Sequence, residues 1–390
     1  MWYLVFSTFA CLIGVAIITW LHNQHQMDVV VAPGQPPGDG PLISVIVPAR
    51  NEERNIRRCV EALLAQTYPN FEVLVLDDRS TDATAEILAE IAARDTRLQV
   101  HSGSELPAGW AGKPHALTQA AALAHGEWLC FVDADTFVAP QALSSVYSKA
   151  EQFHADLFTI LTAQELGSFW EKVILPLVFT ALSVGFAPRK VNDPQRKDAI
   201  ANGQFIFIRR EIYSSIGGHA AIRNSIVEDK DLAVLVKGSG HRLVIADGRQ
   251  VASTRMYTSL IEMWEGWTKN IFLGLKGSPA MLLMGAFGAT LSLMAALALP
   301  AWMLGGFIWW LLGGALQALL VMLEGVALWG YLVFWRVLAA RSMGISAWYA
   351  LTTPLGAAVF AAMMFSSAFK VISGRGVTWK GRKYSPADVT

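Results

Sequence analysis

Cysteine is scarce and scattered in this chain. The 390 residues hold three, Cys11, Cys59 and Cys130, far apart and outside any metal-ligand spacing. They read as reduced, packed thiols, which excludes a disulfide framework. Net charge is also missing. Thirty-one Lys and Arg balance 31 Asp and Glu, so no global basic footprint argues for nucleic acid as a partner. The first residues lack a positive n-region and a clear small-residue cleavage site. The uncharged run from Trp2 to Trp20 is about 19 residues, long enough to cross a bilayer. It therefore reads as a retained anchor and not a signal peptide.

What the chain has is apolar surface. Its 53% hydrophobic content exceeds that of most soluble domains, and the excess sits in blocks. One is the anchor, 1–22. Another is 279–372, with three stretches near 280–303, 306–335 and 346–369 that are rich in small residues, as membrane helices tolerate. Between them, 23–41 is a Pro- and Gly-rich linker without regular structure, and 42–275 is a globular domain of mixed polarity. A basic tail, 373–390, closes the chain.

Within 42–275, apolar strands alternate with amphipathic helices. Leu42 to Pro48 reads as a buried strand. Ile56, Cys59, Val60, Leu63 and Leu64 recur at helical spacing after it. Phe71 to Leu76 is the next strand, a helix spans about 83–93, and a further helix, about 114–125, leads into the strand Trp128 to Val132. This order predicts a mostly parallel α/β sheet, in which ligands bind at the C-terminal ends of the strands. Pro48 to Glu52, Asp77 to Asp82 and Asp133 to Asp135 all fall on that rim. Alternate strand residues point the same way, so Asp133 and Asp135 can converge on one ligand. A carboxylate pair suits a hard divalent cation, Mg2+ or Mn2+, bridging to a substrate diphosphate.

These segments carry a resemblance. Val47-Pro48-Ala49-Arg50-Asn51-Glu52, Leu76-Asp77-Asp78-Arg79-Ser80-Thr81-Asp82 and Val132-Asp133-Ala134-Asp135 resemble, in order and spacing, the family 2 glycosyltransferases of the GT-A fold. The resemblance implies that Pro48, Ala49, Arg50 and Glu52 flank a nucleotide, and that Asp77 or Asp78 accepts a hydrogen bond from its base. It implies that Asp133 and Asp135 serve ribose and metal, with Asp135 the direct ligand, and that Lys113 of Gly112-Lys113 neutralises diphosphate charge. Val227-Glu228-Asp229-Lys230-Asp231 resembles the family's Glu-Asp motif, whose acid is the general base. Asp229 is the first choice for that role and Glu228 the second. A hydroxyl acceptor needs such a base. A carboxylate acceptor is already ionised near neutral pH, so the pair favours a hydroxyl.

Arg255-Met256-Tyr257, Trp264 to Asn270 and Val377 to Tyr384 resemble the membrane-bound glycosyltransferases of carotenoid pathways, of the diaponeurosporenoate kind, and less closely the hopene-associated ones. Trp267-Thr268-Lys269 departs from the Gln-x-x-Arg-Trp of processive synthases, which counts against a polymerase. Trp267 could stack on a sugar or acceptor and Lys269 could meet the diphosphate; an interfacial aromatic–basic belt is the other reading. The expectation is an inverting enzyme moving sugar from a UDP-sugar to a membrane lipid such as a carotenoid or other isoprenoid. The rivals are a polyprenyl-phosphate or glycolipid transferase of envelope synthesis, and a non-catalytic nucleotide-binding scaffold.

Membrane topology is only partly legible. The 167–188 segment is apolar but cannot cross, because Asp135 and Asp229 must share a side; it is expected as an interfacial helix. Nucleotide sugars are cytoplasmic, which puts the globular domain on the cytoplasmic face of the inner membrane. Lys269 and Lys276 precede the first late stretch, and Arg336 and Arg341 follow the second, as the positive-inside rule asks. Three complete crossings would leave the basic tail outside. Either the Pro354-containing stretch is re-entrant, or 304–338 folds as two short helices around Gly313-Gly314. Glu324 sits in an apolar stretch, where an acid is costly.

Overall fold

The computed structural model describes residues 27–384 except 35–38, 186, 275–278, 315, 374 and 380–381, together with residues 9, 12, 16 and 19, which are helical. The expected anchor otherwise lies outside the described residues. In chain order the elements are β1 (Ile43–Ala49), α1 (Ile56–Leu64), β2 (Phe71–Asp77), α2 (Thr84–Ala92), β3 (Leu98–Ser102), α3 (Gly112–Leu123), β4 (Trp128–Val132), β5 (Thr136–Val138), α4 (Ala142–Gln152), β6 (Leu157–Leu161), β7 (Ala163–Gln164) and α5 (Phe169–Gly185). There follow α6 (Pro188–Asn192), β8 (Phe205–Arg209), α7 (Arg210–Ser215), α8 (Gly218–Ala221), α9 (Glu228–Gly238), β9 (Leu243–Asp247), β10 (Ala252–Thr254), α10 (Leu260–Gly274), α11 (Pro279–Gly313), α12 (Leu316–Ser342), a 3-10 helix (Ala347–Thr352), α13 (Thr353–Ile372), β11 (Val377–Trp379) and β12 (Arg382–Tyr384). They form two units, 26–165 with 186–256, and 1–25 with 166–185 and 257–390.

The first unit is built on a seven-stranded sheet in the order β3-β2-β1-β4-β8-β6-β9. Every strand runs parallel except β8, which is antiparallel to both neighbours. The cause is visible in the strands themselves. Near-continuous apolar runs such as Ile43 to Val47 are buried on both faces, as a helix-covered parallel sheet demands. Val45 and Val47 join a core with Ile56, Cys59, Val60 and Leu63 of α1. Ile46 faces the other layer, with Leu117 and Ala120 of α3 and Leu232 of α9. The chain leaves β1 toward β2 on one side, while β4 lies on the other. That reversal opens a crevice at the C-terminal ends of β1 and β4. A small sheet, β5-β10-β7, lies past the end of β4. The linker is less featureless than its composition suggests. Val29 and Val31 are buried, and Val31 N donates to Asp247 O at 2.8 Å beyond the β9 edge.

The second unit is helical. Its three late helices are each long and apolar enough to cross a membrane, but their boundaries differ from the sequence expectation. Gly305-Gly306 does not end a helix. The break falls at Gly314, whose φ of 61° is left-handed, so α11 and α12 form one hairpin. Gly306 and Gly325 are its contact points. A Cβ on Gly325 would stand 2.6 Å from Met303 Cα, and one on Gly306 would stand 2.5 Å from Met322 N. Small residues let the two backbones touch. Because α12 runs to Ser342, Arg336 does not flank it but lies inside it, buried. The N-terminal end of α13 meets α12 where Arg336 Nε donates to Thr353 Oγ1 at 3.2 Å. Met364 of α13 reaches Gly285, near the start of α11. Both contacts lie toward the open end of the hairpin. The 167–188 segment forms α5, with Val173, Ile174, Leu175 and Val178 buried, and Gly356 of α13 packs on Val173 and Leu177.

Candidate active site

Three of the motifs anticipated from sequence gather at the crevice of the first unit. The loops after β1 and β2 are laced together. Arg50 Nη1 donates to Asp78 O at 3.0 Å, Asn51 N to Ser80 Oγ at 2.9 Å, Thr81 N to Asn51 Oδ1 at 2.8 Å, and Glu52 N to Thr84 Oγ1 at 2.8 Å. Asn51 and Arg79 hold left-handed φ values of 53° and 56°, an uncommon conformation for such residues that tends to mark sites where loop shape matters. Asp77 and Asp78 are both buried. Asp77 Oδ1 is committed to its own turn, accepting from Ser80 N and Oγ, whereas Asp78 lies against Arg50. Pro48 and Ala49 end β1 beside Leu76 and Asp77.

The centre is an ammonium shared by two acids. Lys113, from the first turn of α3, places Nζ 2.7 Å from Asp133 Oδ1 and 2.7 Å from Glu228 Oε1. It thereby joins the end of β4 to the start of α9. Asp229, the next residue, points elsewhere. Its Oδ2 accepts from Gly203 N at 2.9 Å and its Oδ1 from Lys230 N at 2.7 Å. Gly203 is needed at this approach, since a Cβ there would sit 3.0 Å from Asp229 Oδ2. The backbone of Asp135 accepts from Arg255 N at 3.3 Å.

One cation for several acids sets the electrostatics. Burial would lower the Lys113 ammonium, but Asp133 and Glu228 hold it well above its ordinary range. Burial would raise Glu228, but Lys113 outweighs it and keeps the carboxyl below its usual value. Asp133 is raised by burial despite Lys113, with Glu228 and Glu52 adding repulsion. Asp229 is pushed up to about 6, first by burial and then by the neighbouring Glu228 charge. The cleft is not sealed: the side chains of Lys113 and Asp133 are 34% and 27% exposed. The Cys59 thiol reports the same negative field. Burial raises it, and Asp135, Asp133 and Glu52 raise it further.

That field and its oxygen donors fit a hard divalent cation. Among the described residues no three acidic, histidine or cysteine side chains gather as a ready-made cage.

Trp267 and Lys269 belong to the other unit and are not among the groups these contacts join. The Trp267 ring is buried, packed against Tyr257 and Phe179. The sequence reading missed a buried hydroxyl–amide network that supports the 201–204 loop. Thr162 Oγ1 donates to Gln204 Oε1, Asn202 N donates to Thr159 Oγ1 at 3.0 Å, and Thr254 joins Thr162 and Thr136. Through it Gln204 O is held to accept from Asp133 N at 3.3 Å. Single polar residues scattered over strands and loops carry no motif, so only the fold reveals them.

Comparison with known proteins points one way. Residues 44–217 match the family model described as glycosyl transferase family 2. The 4,4'-diaponeurosporenoate glycosyltransferase of Staphylococcus aureus strain USA300 is 28% identical over 260 residues, 65% of this chain and 68% of the relative. A solved mannosyltransferase from Pyrobaculum calidifontis, in complex with GDP-Man and Mn2+, superposes with a TM-score of 0.53 at 19% identity, covering 95% of this chain and 97% of its own.

Proposed function

With residues 44–217 a family 2 glycosyltransferase domain in a GT-A fold, we propose that the chain moves one sugar from a UDP-sugar, with inversion, onto a hydroxyl of a lipid-soluble acceptor such as a carotenoid or other isoprenoid. The observation that carries this reading is the contrast between two adjacent acids. Glu228 is held ionised in the Lys113 ion pair, while Asp229, free of that pair, is lifted to about 6. An acid poised near the operating pH is the better general base.

In this scheme the acceptor oxygen attacks the anomeric carbon, its proton passes to the Asp229 carboxylate, and the bond from the anomeric carbon to the diphosphate oxygen breaks. Attack opposite the leaving group inverts the centre. Arg50, Glu52, Asp77 and Asp78 shape the nucleotide pocket, with Asp77 or Asp78 accepting a hydrogen bond from the base. Lys113 supplies fixed positive charge beside the leaving diphosphate. Asp133 and Asp135 would hold Mg2+ or Mn2+, which supplies Lewis-acid stabilisation of that leaving group.

The acceptor class follows from the second unit. We read α11 and α12 as two crossings. We read α13, which touches α12 at Arg336 and α11 at Gly285, as the re-entrant stretch, which would return the basic tail to the side of Lys269 and Lys276. The catalytic domain would face the cytoplasm at the inner membrane, where nucleotide sugars are. The test uses the full chain with a lipid extract and a panel of UDP- and GDP-sugars. Release of UDP with a labelled lipid product, lost in Asp135→Ala and Asp229→Ala, supports the reading. Retention at the anomeric carbon, seen by NMR of the product, refutes inversion, and turnover with GDP-sugars alone refutes the donor.

A further inference from the structure

Helix α12 buries a cation that its surroundings leave unmatched. The helix spans 27 residues and is apolar enough to cross a bilayer. Arg336 lies inside it with 9% of its surface exposed. Its Nε donates to Thr353 Oγ1 at 3.2 Å, and that hydroxyl donates in turn to Ala350 O at 2.6 Å. The Nη1 group is shut away from water and has no hydrogen-bond partner among the described residues. No carboxylate among them pairs with this guanidinium either. A buried charge without a counter-ion is costly, and within a membrane helix it marks a functional site by default.

We propose that Arg336, steadied by Thr353, binds the anionic group, a carboxylate or phosphate, of a lipid-soluble molecule. The guanidinium fork matches either anion through two parallel N–H bonds, and one of its arms is already tied in place by Thr353. Arg336 sits six residues before the end of α12. At ~1.5 Å per residue that is about 9 Å inside the helix end, a depth that the headgroup boundary of a bilayer reaches. Phe334 and Leu338, two residues to either side, are exposed and fall on the opposite face of the helix, so Arg336 is turned to the buried face it shares with Ala340. The helix around it is apolar enough to cross a bilayer, which suits a molecule with a hydrocarbon body. The site lies in the helical unit and does not rest on the sugar-transfer reading. Its anion is distinct from the reacting hydroxyl.

The test measures binding, not turnover. The full chain is placed in phosphatidylcholine nanodiscs and titrated with all-trans-retinoic acid, an ionised polyene, and with retinol, its uncharged counterpart, read by quenching of tryptophan emission. Wild type should bind the acid at least about tenfold more tightly than retinol, the scale of one charge-assisted hydrogen bond. Arg336→Met should lose that preference and keep retinol affinity. Arg336→Lys, which keeps the charge but not the fork, should fall between. Arg336→Met removes an unpaired charge and should melt no lower than wild type. If it does melt lower, the lysine variant decides the question by the same ratio. Phosphatidylglycerol added to the disc distinguishes the sources: competition assigns the site to a bilayer phosphate, and its absence to an isoprenoid carboxylate. An equal acid-to-retinol ratio in wild type and variants overturns the proposal, and so does equal displacement by inorganic phosphate.

Discussion

Substituting Glu228→Gln tests the electrostatic logic of the site most directly. A base must be deprotonated to work, so transfer should fail as pH drops through the Asp229 value of about 6. The lift from an ordinary 3.8, at about 1.4 kcal/mol per pH unit, is roughly 3 kcal/mol of bias toward the proton. Burial comes first among its causes and survives the substitution; the Glu228 charge comes second and does not. A unit charge one residue away in a partly wet cleft is worth about 1–2 kcal/mol. The acid limb of kcat/KM should therefore move down by about one pH unit in Glu228→Gln while staying above 3.8. The assay is initial-rate transfer of radiolabelled sugar from pH 4.5 to 8 at saturating Mn2+, which on the proposed reading would hold Asp133 ionised and remove it from the profile. A limb that stays in place or moves to higher pH refutes the assignment, as does a wild-type limb near 4. The same shift bears on stability. The folded state holds the Asp229 proton more tightly than the unfolded state, so this group destabilises the fold above pH 6 and that cost is relieved on acidification.

Other perturbations probe neighbouring links. Lys113→Met leaves Asp133 and Glu228 without their shared cation; in this partly open cleft it should cost about 1–2 kcal/mol of stability, read by denaturant melts, and should raise the Asp229 limb. Gly203→Ala presses a methyl to within 3.0 Å of Asp229 Oδ2; kcat should fall by about tenfold or more with little change in donor KM, and an unchanged kcat would show that Asp229 can relax. Gly325→Val sets a side chain 2.6 Å from the Met303 backbone, which cannot yield as a flexible side chain would. The α11–α12 hairpin must part, and the membrane-extracted protein should melt at least several degrees lower.

The sheet was legible because its signal is local and repeated. Apolar strands ending in polar clusters at β1, β2 and β4 give both the parallel order and the rim on which ligands sit. The reversal of β8 was not legible, since Phe205 to Arg209 reads the same in either direction. The break in the late apolar block was left open between a gap near 303–306 and a turn at Gly313-Gly314 for a related reason. Gly305-Gly306 and Gly313-Gly314 are the same dipeptide. One lets two backbones approach and the other turns the chain, and only the presence of Met322 beside Gly306 tells them apart. Arg336 was likewise read as a flanking charge because it follows an apolar run, when the helix continues past it.

The two acids at the start of α9 show where sequence stops and geometry begins. Glu228 and Asp229 are adjacent, chemically alike and both in a first helical turn, where the dipole favours negative charge. The family resemblance ranks Asp229 first, but nothing in the chemistry of the two residues or in their order gives the reason. What separates them is a lysine more than 110 residues earlier in the chain, brought near by the β1–β4 crevice. Its ammonium reaches Glu228 and Asp133 at 2.7 Å, and no salt bridge of that kind joins it to Asp229. The longer glutamate side chain is therefore ion-paired and kept ionised, while the shorter aspartate feels the ammonium only through space and is raised by burial and its neighbour's repulsion. The division of labour between two like residues is a property of where α3 delivers one charge.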